Sequence, residues 1–120
     1  MQYVGVDIIE IDRIGKLIQR WGKIFLQRVY TPSELERYTN TSSLAVRFAA
    51  KEAILKALGA CDKGISWQDI EVLAESNGKP VINLTGKAKQ HANELSIGKL
   101  NISLSHAKGY AVAFVVGETT

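Results

Sequence analysis

The sequence predicts an α+β protein in which a largely antiparallel sheet packs against one long helix, and three observations carry that expectation. Residues 3–9 alternate as a strand, and two strand–turn–strand patterns follow later, one around Asn77-Gly78 and one around Ala107-Lys108-Gly109. Helical periodicity fills most of the intervening chain, its longest stretch ending near Gly59. The order is then strand, three helices, hairpin, helix, hairpin, with no internal repeat, low-complexity tract or linker. At 120 residues and 46% apolar content, the chain is expected to form a single domain over residues 1–120, with a modest core and a shallow site that could be shared between subunits.

In the first strand Val4, Val6 and Ile8 share one face, and Tyr3, Gly5, Asp7 and Ile9 share the other. Asp7 is out of place in so apolar a segment. It either caps the helix that follows or needs a cation, a metal or several donors, because a carboxylate buried alone costs several kcal/mol. Gly5, two residues earlier on the same face, removes a side chain and lets another group approach. From Ile11 to about Phe25 the pattern is helical, with Ile14, Leu17, Ile18, Trp21 and Phe25 on one arc. Arg13, Lys16, Arg20 and Lys23 form a neighbouring row without acids, either a solvated face or a docking face for an acidic partner. Thr31-Pro32-Ser33-Glu34 combines an N-cap, a first-turn proline and a capping-box glutamate, so a short helix begins there.

The polar connector Thr39–Ser43 supplies the N-cap of the long helix. Leu44, Phe48 and Leu55 form one stripe of it, and Val46, Ala50, Ala53, Ile54 and Ala57 cover most of the opposite side. Such a helix is expected to be buried. Its charges fall into two i,i+4 pairs, Arg47 with Lys51 and Glu52 with Lys56, which either flank a solvated edge or line a cleft. Residues 59–64 form a loop of small and polar residues. Asp69–Ala74 and Lys79–Leu84 form the first hairpin, with Pro80 marking an edge strand, and Thr85 caps a helix from Lys87 to about Leu95 with His91 at the surface. Asn101–His106 and Tyr110–Val116 form the last hairpin. His106, beside its turn, is either a satisfied structural histidine or a catalytic one.

Composition narrows the function classes. The lone Cys61 excludes an intramolecular disulfide framework, and no Cys/His spacing suits zinc. Asp7 and Glu10 stand where a secretory leader would be apolar, and no apolar run approaches membrane-spanning length, so a soluble cytoplasmic protein with no membrane association is expected. The formal charge of +3 suits anionic ligands or acidic partners without naming one. Asp7, Glu52, Lys56 and His106 are the unusual polar residues. Two carboxylates suit Mg²⁺, and a lysine with a histidine suits a phosphoryl group in transfer, provided the four converge.

Three segments resemble, in order, the signatures of one family: Gly5-Val6-Asp7-Ile8-Ile9-Glu10-Ile11-Asp12-Arg13-Ile14, Arg47-Phe48-Ala49-Ala50-Lys51-Glu52-Ala53-Ile54-Leu55-Lys56-Ala57, and Ser105-His106. Ser66-Trp67-Gln68-Asp69-Ile70-Glu71-Val72 and Asn77-Gly78-Lys79-Pro80 extend the likeness, so that it runs the length of the chain. The chain is similar to the holo-[acyl-carrier-protein] synthases, the short members of the 4'-phosphopantetheinyl transferase superfamily. The resemblance implies the fold of that superfamily and transfer of the 4'-phosphopantetheine arm of coenzyme A to a serine of apo acyl carrier protein, releasing adenosine 3',5'-bisphosphate, in fatty acid biosynthesis. It implies Asp7 and Glu52 as Mg²⁺ ligands, with Lys56 and His106 on the pyrophosphate and Glu52, Lys56 and His106 as the catalytic set. The serine would attack the β-phosphate, assisted by a carboxylate or a metal-bound water. Arg13, Lys16, Arg20 and Lys23 match the surface that docks the carrier protein, and members of this type are homotrimers with sites between subunits. Many members carry a longer, basic stretch where Thr39–Ser43 has no cation, which leaves Arg47, Lys51 and Lys63 as candidates for the 3'-phosphate. Two rival readings use the same features: a Mg²⁺-dependent pyrophosphohydrolase with water as nucleophile, and a small basic nucleic-acid module. The strands argue against nucleic acid, carrying valine and alanine where a stacking platform needs aromatics beside cations.

Overall fold

The computed structural model describes residues 1–60 and 64–120. Its elements are β1 (Gln2–Glu10), α1 (Ile11–Trp21), α2 (Lys23–Val29), α3 (Pro32–Arg37), α4 (Thr41–Leu58), a 3₁₀ turn (Trp67–Asp69), β2 (Ile70–Ala74), β3 (Pro80–Leu84), α5 (Gly86–Glu94), β4 (Ile97–Ala107) and β5 (Tyr110–Thr119). This is the expected α+β plan, with every strand pair antiparallel. The strands divide into a three-stranded sheet of order β1-β5-β4 and a separate β2-β3 hairpin. β1 pairs with β5 along its whole length, from Gln2↔Glu118 to Glu10↔Tyr110.

α4 lies across one face of the three-stranded sheet. Leu44, Phe48, Ala53, Ile54 and Ala57 are all buried, as an all-round apolar helix requires. Its start is capped by Asn40, whose side chain accepts from the Ser43 N–H at 2.8 Å, and its end is closed by Gly59 in the left-handed conformation at φ 60°. Gly5 sets how near the helix comes. A β-carbon there would fall 2.0 Å from the Ala53 carbonyl oxygen, so glycine lets the α4 backbone touch β1.

The Tyr3/Gly5/Asp7/Ile9 face of β1 therefore turns toward α4. The opposite face stays open, with Val4 53%, Val6 51% and Ile8 64% exposed beside Phe114 and Tyr110 of β5. Two aromatics thus do stand exposed on a strand face, contrary to expectation. Their cross-strand partners are Val6 and Ser103 for Phe114 and Glu10 and Ala107 for Tyr110, none of them a cation.

The helix expected over Ile11–Phe25 is two helices. Gly22 adopts φ 53° and donates its N–H to the Ile18 carbonyl at 2.7 Å, closing α1 before α2 starts. α3 has its capping box complete, the Glu34 N–H on the Thr31 hydroxyl and the Thr31 N–H on the Glu34 carboxylate. β4 begins four residues earlier than expected, with a register shift between Ile97 and Lys99. Thr85 occupies the N-cap position of α5 without a side-chain bond. His91 is partly buried, not a surface residue, its Nε2 lying 2.8 Å from the Leu58 carbonyl at the end of α4.

Candidate active site

Asp7 and Lys56 meet first. Asp7 projects from the middle of β1, largely buried, and the Lys56 ammonium donates to its Oδ1 at 3.0 Å and to the Val6 carbonyl at 3.2 Å. Glu52 lies one turn before Lys56 on α4 and is half-buried. Burial is the main reason its carboxyl is pushed up from the usual range. The negative charge of Asp7 adds to the rise, while Lys56 and Arg13 oppose it. That balance places four charged groups from β1, α1 and α4 around one point. The expectation for Asp7, Glu52 and Lys56 rested on strand alternation and an i,i+4 spacing; the close approach at Gly5 brings the two elements together.

The Asp7 charge lies near enough to raise the proton affinity of Glu52, and a divalent cation would relieve that repulsion. Among the described residues no group of three or more His, Cys, Asp or Glu gathers for a metal. The chemistry of two carboxylates suits an ion such as Mg²⁺, which keeps most positions for phosphate oxygens and water.

His106 is elsewhere. It pairs with Ala111, which pairs with Ile9, so two strand steps of roughly 4.8 Å separate His106 on the far edge from β1. Its surroundings are a cavity of about 330 Å³ lined by Ser43, Arg47, Gly78, Pro80, Ser105 and His106. The Arg47 guanidinium stacks over Tyr38, 3.5 Å from the ring centroid. Its Nε is buried without a hydrogen-bond partner among the described residues, as expected of a cation awaiting an anion. One chain therefore holds two half-sites, Asp7/Glu52/Lys56 with Arg13 at the β1 edge and Arg47/His106 at the β4 edge.

Lys51, expected at the ligand, is a correction. It is wholly buried, its ammonium 2.7 Å from Glu34 Oε1, 2.5 Å from the Ile70 carbonyl and 3.2 Å from the Trp67 carbonyl. Burial lowers its proton affinity, and Glu34 holds it up. No surface remains for a phosphate to reach. Glu34 went unnoticed because its capping-box role seemed to account for it, and the only further signal was an acid in a helix that packs on the core. The basic row is also divided. Arg13, Lys16 and Arg20 line one groove of about 400 Å³ with Glu10, Asp12 and Leu17. Lys23, beyond the Gly22 break, lines another with Leu26 and Tyr38. Arg20 lies over Trp21 at 5.2 Å, and Trp21 and Ile24 are exposed beside it. Cys61 and Lys63, with the loop reading for residues 59–64, fall wholly or partly outside the described residues.

An α+β domain with two carboxylates, a lysine at their rim and a separate basic helix suits an enzyme of anionic substrates. Residues 3–115 match the 4'-phosphopantetheinyl transferase superfamily. The holo-[acyl-carrier-protein] synthase of Herpetosiphon aurantiacus is 49% identical over 98% of this chain and 98% of its own. The solved holo-[acyl-carrier-protein] synthase of Helicobacter pylori, in complex with coenzyme A, superposes with a TM-score of 0.86 at 37% identity, covering 96% of this chain and 99% of that one. The one from Neisseria meningitidis gives 0.89 at 33%, covering 98% of each. The chain belongs to the holo-[acyl-carrier-protein] synthase family.

Proposed function

We propose that the chain transfers the 4'-phosphopantetheine arm of coenzyme A to a serine of apo acyl carrier protein, with Mg²⁺ held by Asp7 and Glu52. The observation that carries this is the Asp7–Glu52–Lys56 cluster, in which carboxylates that repel one another are poised beside a lysine. When bound, the ion would draw charge from the coenzyme A pyrophosphate. The chain's own part is positional and electrostatic. The serine hydroxyl forms the new bond to the β-phosphorus as the bridging P–O bond breaks. Adenosine 3',5'-bisphosphate departs with that electron pair, and the serine proton would pass to a carboxylate of the cluster or to water beside it. Lys56 compensates charge on the phosphoryl oxygens. Arg47 and His106 would contact the phosphates of the nucleotide half, and Arg47, with its orphaned Nε, suits the 3'-phosphate. Arg13, Lys16 and Arg20, with Lys23 past the break, would receive an acidic helix of the carrier protein.

The active assembly we propose is a homotrimer with sites between subunits. Two features support it: the half-sites lie at opposite edges of one sheet, and Val4, Val6, Ile8, Tyr110 and Phe114 leave the outer face of that sheet apolar and uncovered. We place the reaction in the cytoplasm, as part of fatty acid synthesis. No helix among the described residues is long and apolar enough to cross a membrane.

The test is the intact mass of an apo acyl carrier protein incubated with this chain, coenzyme A and Mg²⁺. A gain of one phosphopantetheine arm, abolished by chelator, is the expected result. Coenzyme A cleaved with no carrier present would support the hydrolase reading instead.

A further inference from the structure

We infer that Glu34 and Lys51 are positioning residues for the transfer: their buried ion pair sets the rotation of α4 about its own axis and so aims Glu52 and Lys56 at Asp7. The inference rests on the transferase reading above. α4 is buried on nearly every side, so the distribution of apolar residues alone leaves its rotation loosely specified. The Ala53/Ala57 face against Gly5 restricts that rotation, and directional bonds restrict it further.

Lys51 supplies those bonds. Its three donors go to Glu34 Oε1, the Ile70 carbonyl and the Trp67 carbonyl. Glu34 in turn accepts from the Thr31 N–H and the Val72 N–H, each at 2.8 Å. A single pair thus ties α4 to α3, to the 3₁₀ turn and to β2. Turning α4 by one residue position, about 100°, would strand an ammonium and a carboxylate in the core, which a folded chain does not tolerate. Glu52 follows Lys51 directly and Lys56 comes one turn later, so a fixed Lys51 fixes the direction of both. One turn earlier Arg47 is held by its stack on Tyr38, a second clamp on the same helix. Replacing a buried ion pair by apolar groups of equal volume often leaves stability unchanged. Here the pair also satisfies four backbone groups, so it contributes stability and, through the direction of those bonds, orientation.

The double variant E34Q/K51M removes both charges and keeps the volume. Its melting temperature should fall, since the Trp67 and Ile70 carbonyls lose their donor and glutamine's single oxygen cannot replace both carboxylate oxygens. The kcat for transfer, read on folded protein well below that temperature, should fall by roughly tenfold or more, as misplacement of reacting groups by an ångström does. A crystal structure of the variant should show Lys56 withdrawn from its 3.0 Å contact with Asp7. An unaltered kcat with that contact kept would overturn the proposal, since a merely structural pair moves only the melting temperature. Should the double variant not fold, E34Q alone, read well below its melting temperature, decides by the same two measurements. Failure of both to fold would overturn the proposal too, because the pair would then hold the fold together and not aim the helix. If the unaltered chain modifies no carrier protein, the transferase reading falls, and the Lys56–Asp7 distance in the variant still decides the positioning.

Discussion

Asp7 and Glu52 are acids of opposite circumstance, one held by an ammonium and the other half-buried facing a like charge. Replacing either by alanine should abolish transfer, with the circular dichroism spectrum unchanged, because both stand at the rim of the core. Loss of the fold in both variants would return them to structural roles. A second expectation concerns pH. The raised Glu52 carboxyl means that, without metal, the folded chain keeps to higher pH a proton that the unfolded chain releases near the ordinary value of 4.5. The stability tied to that proton is complete below that pH and is lost as pH rises through the folded value. In chelator, Glu52→Gln should therefore melt higher than the unaltered chain at neutral pH, and the gap should close on acidification. A melting series across pH checks it; a gap that does not change with pH would mean that Glu52 is not perturbed. At this scale the strand misfit at Asp7 and the Glu52/Lys56 spacing were legible in the sequence, because both follow from local periodicity. Lys51 was not. Helical spacing tells which residues share a flank, but what covers that flank, here Glu34 from 17 positions earlier in the chain, is tertiary information.

Two glycines decide where the elements lie. A methyl group on Gly5 would meet backbone atoms of α4, which cannot swing away as a flexible side chain would. Gly5→Ala should cost about 1–3 kcal/mol by overpacking, and because it lifts α4 from β1 it should lower transfer beyond what the loss of folded protein explains. Thermal melting and transfer per folded molecule check this together. Gly22→Ala should cost about 1–3 kcal/mol, since φ 53° with ψ −127° is a backbone conformation that side chains rarely adopt. It should also weaken carrier binding more than coenzyme A binding, because the Gly22 turn sets the angle between Arg20 and Lys23. The break at Gly22 was hidden in the sequence because Ile18, Trp21 and Phe25 continue the apolar arc across it. The capping box at Thr31 and the turn at Asn77-Gly78 were plain, since their chemistry is contained in four residues or fewer.

For the molecule as a whole, two half-sites and an uncovered sheet face make one experiment informative. A chain carrying Asp7→Ala and another carrying His106→Ala should each be inactive. Mixed and reassembled, they should regain roughly a quarter of full activity, the share of interfaces that random assembly leaves intact in a closed ring. No recovery would show that each site is built within one chain. Ile8→Lys, on the exposed face, should yield monomers in native mass spectrometry and lose transfer with them. The α+β class was legible because element order and hairpin turns determine it. The outward turn of the Val4/Val6/Ile8 face was not, because alternation distinguishes two faces without telling which one the helix covers.

The pairing of β1 with β5 has a consequence for synthesis. β1 carries Asp7, yet its strand partner among the described residues is β5, where Asp7 pairs with Ala113. During translation β1 is made well before β5 and must wait for it before it can pair, a contact between residues far apart in sequence. Until β5 is made, no strand pairing holds Asp7 opposite Glu52 and Lys56. The three groups can therefore come together only after the residues of β5 have emerged.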